Sequence, residues 1–353
     1  HLSLRRQRQM CIRDRVIQGT PVEFSDLFTI YVAPTIGAQG STGNITAMSS
    51  LDDKLIIFKK DAIYYIVGNG PDVTGANNDF SDPIFISSTV GCANQQSIVQ
   101  QPNGLMFQSD KGIWLLGRDL STQYIGAPVE QYNSSLVLGA LAIPGTNQVR
   151  FTLDGGVTLV YDYFFDQWCT FNGIPGIAST LFGGFHTFAD KYNGIYQEAP
   201  GTYTDGANPV LLSFTTAWMH VAGIEGFERA YFFYLLGQWV SPHTLTVSVA
   251  FDYALTASQS VTITPTNIAP GINTSYGSDP YYGSQNTYGQ NNLLEQWRVF
   301  LANQKCQAFQ LTVSENFLNS GQTPGAGLTL SALNLVVGTK KGYVPLSASG
   351  SVG

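Results

Sequence analysis

The stretch Leu105-Met-Phe107-Gln-Ser-Asp110-Lys-Gly-Ile-Trp-Leu-Leu116 decides the fold. Two short apolar runs flank an Asp-Lys-Gly turn, which is the pattern of a β-hairpin. The same arrangement occurs in Leu55-Ile-Ile-Phe58-Lys-Lys-Asp61-Ala-Ile-Tyr-Tyr-Ile66 and in Val149-Arg-Phe151-Thr-Leu-Asp154-Gly-Gly-Val-Thr-Leu-Val160. Each copy places a Phe, an Asp three residues later, and then a second apolar run. Asp61, Asp110 and Asp154 are read as structural turn residues whose side chains cap the turn, with Gly supplying positive φ where it is needed. A weaker copy lies at Phe188-Ala-Asp190, leading to Gly194-Ile-Tyr196.

The spacings from Asp61 to Asp110 to Asp154 are 49 and 44 residues. That period matches a four-stranded propeller blade of roughly 40–50 residues. Such a blade cannot bury its own faces and must stack on neighbours. The aromatic that ends a hairpin, Trp114 or Trp168, is expected to wedge between blades. Residues 16–205 are therefore read as β-propeller blades. Three or four blades do not close a typical propeller, so further N-terminal sequence or several chains would complete it.

From residue 206 the pattern changes. Within Thr244-Leu-Thr-Val-Ser-Val-Ala250, apolar and polar residues alternate as in a half-buried strand. Strand-like runs recur up to Val337, and residues 206–346 are expected to form a β-sandwich-like domain. It is interrupted by a Tyr- and Gly-rich loop at 271–292, and 347–353 form a small-residue tail. The fold class is all-β: a partial or complete propeller followed by a sandwich.

Composition agrees with this class. Only 12% of the 353 residues are charged, against 37 Gly, 18 Tyr and 21 Phe. Helical bundles need charged faces and are excluded. No apolar run approaches the ~18 residues of a transmembrane helix. The first fifteen residues stand apart, with Arg5, Arg6, Arg8, Arg13 and Arg15 among them. The run from Arg5 to Arg15 resembles translated sequencing-adapter read-through, so residues 1–15 are read as non-native and the natural chain as truncated before Val16. Setting them aside removes five of the 17 basic and one of the 24 acidic side chains, leaving 12 against 23 and a net charge of −11. That balance argues against a general nucleic-acid glue.

Catalytic chemistry leaves little trace. His186, His220 and His243 show no ligand spacing, and Cys92, Cys169 and Cys306 form neither a metal set nor a disulfide framework. No metal, cofactor or catalytic residue is expected. Asp52-Asp53 and the pair Asp162 and Asp166 read as turn residues rather than as a glycosidase carboxylate pair. Arg118, Arg150, Arg229 and Arg298 have no evident grouping. Within the long loop, Tyr276, Tyr281, Tyr282 and Tyr288 are a candidate contact surface, since Tyr with Gly, Ser and Asn suits adaptable binding. A protein contact is one reading of that loop and a glycan contact another.

Three segments then carry a family resemblance: Leu55 through Tyr65, Val90-Gly-Cys-Ala-Asn-Gln-Gln-Ser-Ile98, and Gly104 to Arg118. With Thr216-Ala-Trp218, Arg229, Phe251-Asp252 and Val337-Gly-Thr-Lys-Lys-Gly342, the chain resembles the β-propeller tail nozzle or packaged-DNA stabilisation proteins of short-tailed bacteriophages. The resemblance implies a non-enzymatic virion tail protein, assembled in the host bacterial cytoplasm. It implies a ring of identical subunits, expected to be a hexamer, that meets portal, adaptor and other tail proteins. The ring would close the exit channel and retain the genome, and DNA would pass without sequence-specific contact. A weakly basic wall lets a duplex slide rather than stick. The alternative is a carbohydrate-binding or glycan-degrading propeller of a tail fibre.

Overall fold

The computed structural model describes residues 21–24, 28–31, 44–70, 77, 79–87, 89–174, 176–191, 194–205, 208–221, 226–239, 243–263, 294–301, 305–317 and 325–343. The chain divides into two compact units, His1–Ala199 and Pro200–Gly353, so the division falls slightly before residue 205. The described residues are almost entirely antiparallel β-structure with three short 3-10 turns.

In the first unit the chain lays down successive four-stranded meanders. The first sheet runs Ile45–Leu51, Lys54–Lys59, Ile63–Val67, Ile84–Ser87. The second runs Val99–Gln101, Gly104–Ser109, Gly112–Gly117, Thr122–Tyr124, and the third Val137–Ile143, Gln148–Leu153, Val157–Asp162, Gln167–Asn172. A fourth sheet holds only Gly176–Phe182, Phe185–Asp190 and Ile195–Gln197. A two-stranded hairpin, Pro21–Phe24 with Phe28–Tyr31, precedes them in sequence. In the first three sheets the Phe-x-x-Asp element forms the hairpin between the second and third strands, and in the fourth the weaker copy Phe188-Ala-Asp190 leads into it.

Side-chain alternation explains the stacking. Successive strand residues point to opposite faces. On Gly104–Ser109, Leu105 and Phe107 pack with Ile56, Phe58 and Ile63 of the first sheet. Met106, on the other face, packs with Val149, Phe151 and Leu159 of the third. The second sheet is therefore buried on both sides, which is why all six residues of that strand are buried. Trp114 joins the first of these clusters, and Trp168 the second, where its indole N–H donates to Ile125 O at 2.9 Å. The four-stranded blades and their aromatic wedges are present as the repeat predicts.

One close approach ties the linker to the first blade. Cys92 N donates to Lys59 O at 3.0 Å, and the neighbouring Gly91 lies against the same hairpin. A Cβ added at Gly91 would sit 2.1 Å from Lys59 O and 2.6 Å from Lys60 C, both backbone atoms that cannot swing aside.

The second unit is a two-layer sandwich. One sheet runs Ser213–Thr215, Phe309–Phe317, His243–Phe251, Gln259–Ile263. The other is organised by Gly226–Trp239, which pairs with Leu294–Phe300, Lys305–Cys306 and Leu328–Tyr343. Leu245, Val247 and Val249 point inward against Phe233, Leu235 and Val299.

Replacing Gly91 by Ala is expected to destabilise the protein by about 1–3 kcal/mol, the range for overpacking a tight site. Gly145→Ala is the control, because nothing lies within 4 Å of its added Cβ. Urea midpoints of the two variants read the difference, and equal midpoints would refute the steric account.

Candidate functional site

The chemistry of the first unit is concentrated between its sheets. The 3-10 turn Gln95–Ser97 is capped by Asn94, whose Oδ1 accepts Ser97 N at 2.9 Å. From this turn Gln95 clasps the first sheet: its Oε1 accepts Met48 N at 2.8 Å and its Nε2 donates to Met48 O at 3.0 Å. Gln108 does the same to the third sheet, donating to Ser135 O at 2.6 Å and accepting from Val137 N at 2.9 Å. Ser97 links the two clamps, since its Oγ donates to Asn94 O and accepts from Gln108 N at 3.1 Å. Cys92 is buried there, its thiol 3.0 Å from Asn94 O, and burial pushes it up to about 11. A thiol so raised stays protonated and is a poor nucleophile.

The third and fourth sheets meet through polar groups instead. Arg150, almost fully buried, is held by Glu198 at 3.1 Å and by Gln148, and its guanidinium lies 5.2 Å from the Phe171 ring centre. Thr152, on the same strand face, packs near Gly176 and Phe188. Phe188 stacks on His186 on one side and on Tyr196 on the other. His186 is 2% exposed, and its Nε2 has no hydrogen-bond partner among the described residues.

The opposite face of the fourth sheet is uncovered. Phe182 pairs in register with Phe185, and Ile195 with Ala189, so the three share one face. Phe182 is 71% exposed, Phe185 43% and Ile195 80%. Thr187 and Gln197 lie between the two Phe and Ile195 on this face, and exposed apolar side chains gathered on one sheet face are the kind of surface that marks an interaction site.

In the second unit a separate aromatic cluster sits on a tight turn. Asp252 and Tyr253 have φ of 50° and 63°, which is costly for non-Gly residues. The turn is held from below, because Asp252 Oδ1 accepts Gln307 N at 2.6 Å and Asp252 N donates to Ala308 O. Above it, Tyr253 OH bonds His220 Nε2 at 2.7 Å, and its ring lies 4.9 Å from that of Trp218.

The turn aspartates were expected to cap their own hairpins. Their positions are hairpin turns, but the bonds differ. Asp110 reaches across to Lys60 of the preceding blade at 3.1 Å, and Asp61 Oδ1 is buried without a hydrogen-bond partner. Asp162 does cap a turn, accepting from Phe164 N and Phe165 N, and Asp166 accepts from Tyr161 OH. Asp52 and Asp53 are engaged by Arg118 and Lys54. Arg298 stands over the rings of Phe232, Tyr234 and Phe300. Tyr276, Tyr281, Tyr282 and Tyr288 lie outside the described residues. Among the described residues no group of three or more His, Cys, Asp or Glu could hold a metal ion, and no helix is long and apolar enough to cross a membrane. The glutamine clamps and the Trp218, His220 and Tyr253 cluster have no counterpart in the motif reading.

No protein-family model matches the chain, and no curated protein matches it in sequence. Among solved structures it is similar to an exo-β-1,3-galactanase from Phanerochaete chrysosporium with galactose. The TM-score is 0.29 at 10% identity, covering 86% of this chain and 84% of that one. A variant of the same enzyme with β-1,3-galactotriose gives a TM-score of 0.21 at 9% identity, covering 91% of this chain and all of the other.

Burial, and next the Arg150 charge, hold His186 below the usual histidine range, with Glu198 partly offsetting them. The unfolded chain therefore takes up this proton first as pH falls. The contribution of His186 to stability is intact above about pH 6.5, declines below it, and levels off once the folded imidazole titrates. Urea midpoints between pH 7.5 and 5 should show this decline, and His186→Gln should flatten it. An unchanged slope in the variant would refute the assignment.

Proposed function

We propose that the chain is a structural subunit of a phage virion tail, of the nozzle or packaged-DNA stabilisation type, and acts by assembly rather than catalysis. The observation that carries this reading is the uncovered apolar face of the fourth sheet. The four-stranded sheets cover most of their apolar residues, although Ile84 and Phe85 of the first are 41% and 52% exposed, and the fourth sheet presents Phe182, Phe185 and Ile195 to solvent on one face. A face of this kind at one end of a stack suits a head-to-tail contact with the next copy, and head-to-tail contacts close into rings when the rotation permits. Hexamers fit the resemblance stated above. Portal and adaptor proteins would meet the ring, which would form in the host cytoplasm and close the DNA exit channel. The excess of 23 acidic over 12 basic side chains beyond residue 15 supports passage of DNA without a grip on it.

Mass photometry and analytical ultracentrifugation test the proposal. The wild-type chain is expected to assemble at micromolar concentration, and the double substitution Phe182→Asp with Ile195→Asp to lower the assembly constant by at least about 100-fold. A wild-type chain that stays monomeric at high concentration would overturn it.

A second reading, glycan contact, is favoured by one observation: the Trp218, His220 and Tyr253 cluster. Aromatic faces fixed beside hydrogen-bonding groups suit saccharide rings, and the cost of the turn at Asp252 and Tyr253 is of a kind that gathers at functional sites. Titration with neutral gluco- and galacto-oligosaccharides should then quench tryptophan fluorescence, with Tyr253→Ala weakening binding at least about tenfold. No response to any of them removes this reading.

A further inference from the structure

Among the described residues the fourth sheet has three strands, and the place of a fourth is definite. In the first three sheets a fourth strand pairs with the third: Ile84–Ser87, Thr122–Tyr124 and Gln167–Asn172. In the fourth sheet the third strand, Ile195–Gln197, pairs with Phe185–Asp190 on one side only, and all three of its residues are exposed. Among the described residues no later strand pairs with it: the next strands, Thr204–Asp205 and Asn208–Pro209, pair with each other. An edge with apolar side chains and unpaired backbone groups is a template for an added strand.

The same chain holds strands without a sheet. The hairpin of Pro21–Phe24 and Phe28–Tyr31 pairs only with itself among the described residues. A lone two-stranded ribbon is marginal in water. Pro21 opens its strand and lacks an N–H, which suits an outermost position. Phe28–Tyr31 is then the strand free to pair further. Its four residues fall within the three to six of the fourth strands in the complete blades.

We propose that Phe28–Tyr31 of one copy adds to the Ile195–Gln197 edge of a second copy and completes its fourth blade. The inference rests on the ring reading above. In a head-to-tail ring the N-terminal end of one stack faces the fourth sheet of the next, which brings this hairpin to that edge. The added strand would extend the sheet that carries Phe182, Phe185 and Ile195, so one contact would cover both edge and face.

Hydrogen–deuterium exchange on the full chain, separated by oligomeric state, tests this. In the assembly the amides of Ile195 and Gln197, which point away from Phe185–Asp190, should exchange at least about tenfold more slowly than in the monomer. A chain lacking residues 16–33, or the milder variant Ile30→Lys, should lose that protection and assemble more weakly. Mixing the shortened chain with the full one should restore protection to the shortened copies, as should a synthetic peptide of residues 19–33. An assembly with rapidly exchanging edge amides would overturn the strand addition and leave the ring reading intact. Failure to assemble at all would overturn the ring reading and this inference with it. Protected edge amides in the monomer, lost on removing residues 16–33, would mean that the hairpin serves its own chain and would overturn donation between copies.

Discussion

A four-stranded antiparallel sheet with apolar residues on both faces cannot cover either face by itself. The first unit is organised around that constraint. Phe107 and Met106 are adjacent in sequence, yet one belongs to the core shared with the first sheet and the other to the core shared with the third. The second sheet is thus a layer in two cores at once, and removing it would expose one face on each neighbour. The fourth sheet obeys the rule on one side only. Its inner face meets the third sheet through Arg150, Thr152 and His186, and its outer face has no partner among the described residues.

This arrangement makes the stability of the unit cooperative along the stack. Repeat architectures behave as chains of units coupled to nearest neighbours. The apolar interfaces on both sides of the second sheet are the strong couplings. The interface between the third and fourth sheets is weaker in kind, because it buries an arginine and an imidazole whose desolvation offsets part of their attraction. The Arg150 guanidinium is compensated by Glu198 and Gln148, whereas Nε2 of His186 lacks such a partner among the described residues.

The hairpins at 55–66, 105–116 and 149–160 were legible in the sequence because a hairpin is local: its apolar runs and its turn residues lie within a dozen positions. The inward set Leu245, Val247 and Val249 was legible for the same reason, since alternation within one strand reports the buried face directly. The bonds of the turn aspartates were not, because Asp110 finds its partner, Lys60, on another blade. The cluster of Trp218, His220 and Tyr253 was also invisible. It is assembled through a third segment, where Met219 bridges to Phe309 and Asp252 binds Gln307, so no spacing within one stretch announces it.

The two glutamine clamps were hidden for a further reason. Gln95 and Gln108 bind the peptide groups of Met48 and of Ser135 and Val137, and take no hold on the side chains there. A clamp that reads only main-chain atoms is indifferent to which residues it grips. Successive blades can then diverge by substitution and still dock in the same geometry, so ancestral duplication would leave a shared architecture with little shared spelling. The three Phe-x-x-Asp hairpins, alike in frame and different in nearly every other letter, are what such drift would leave behind.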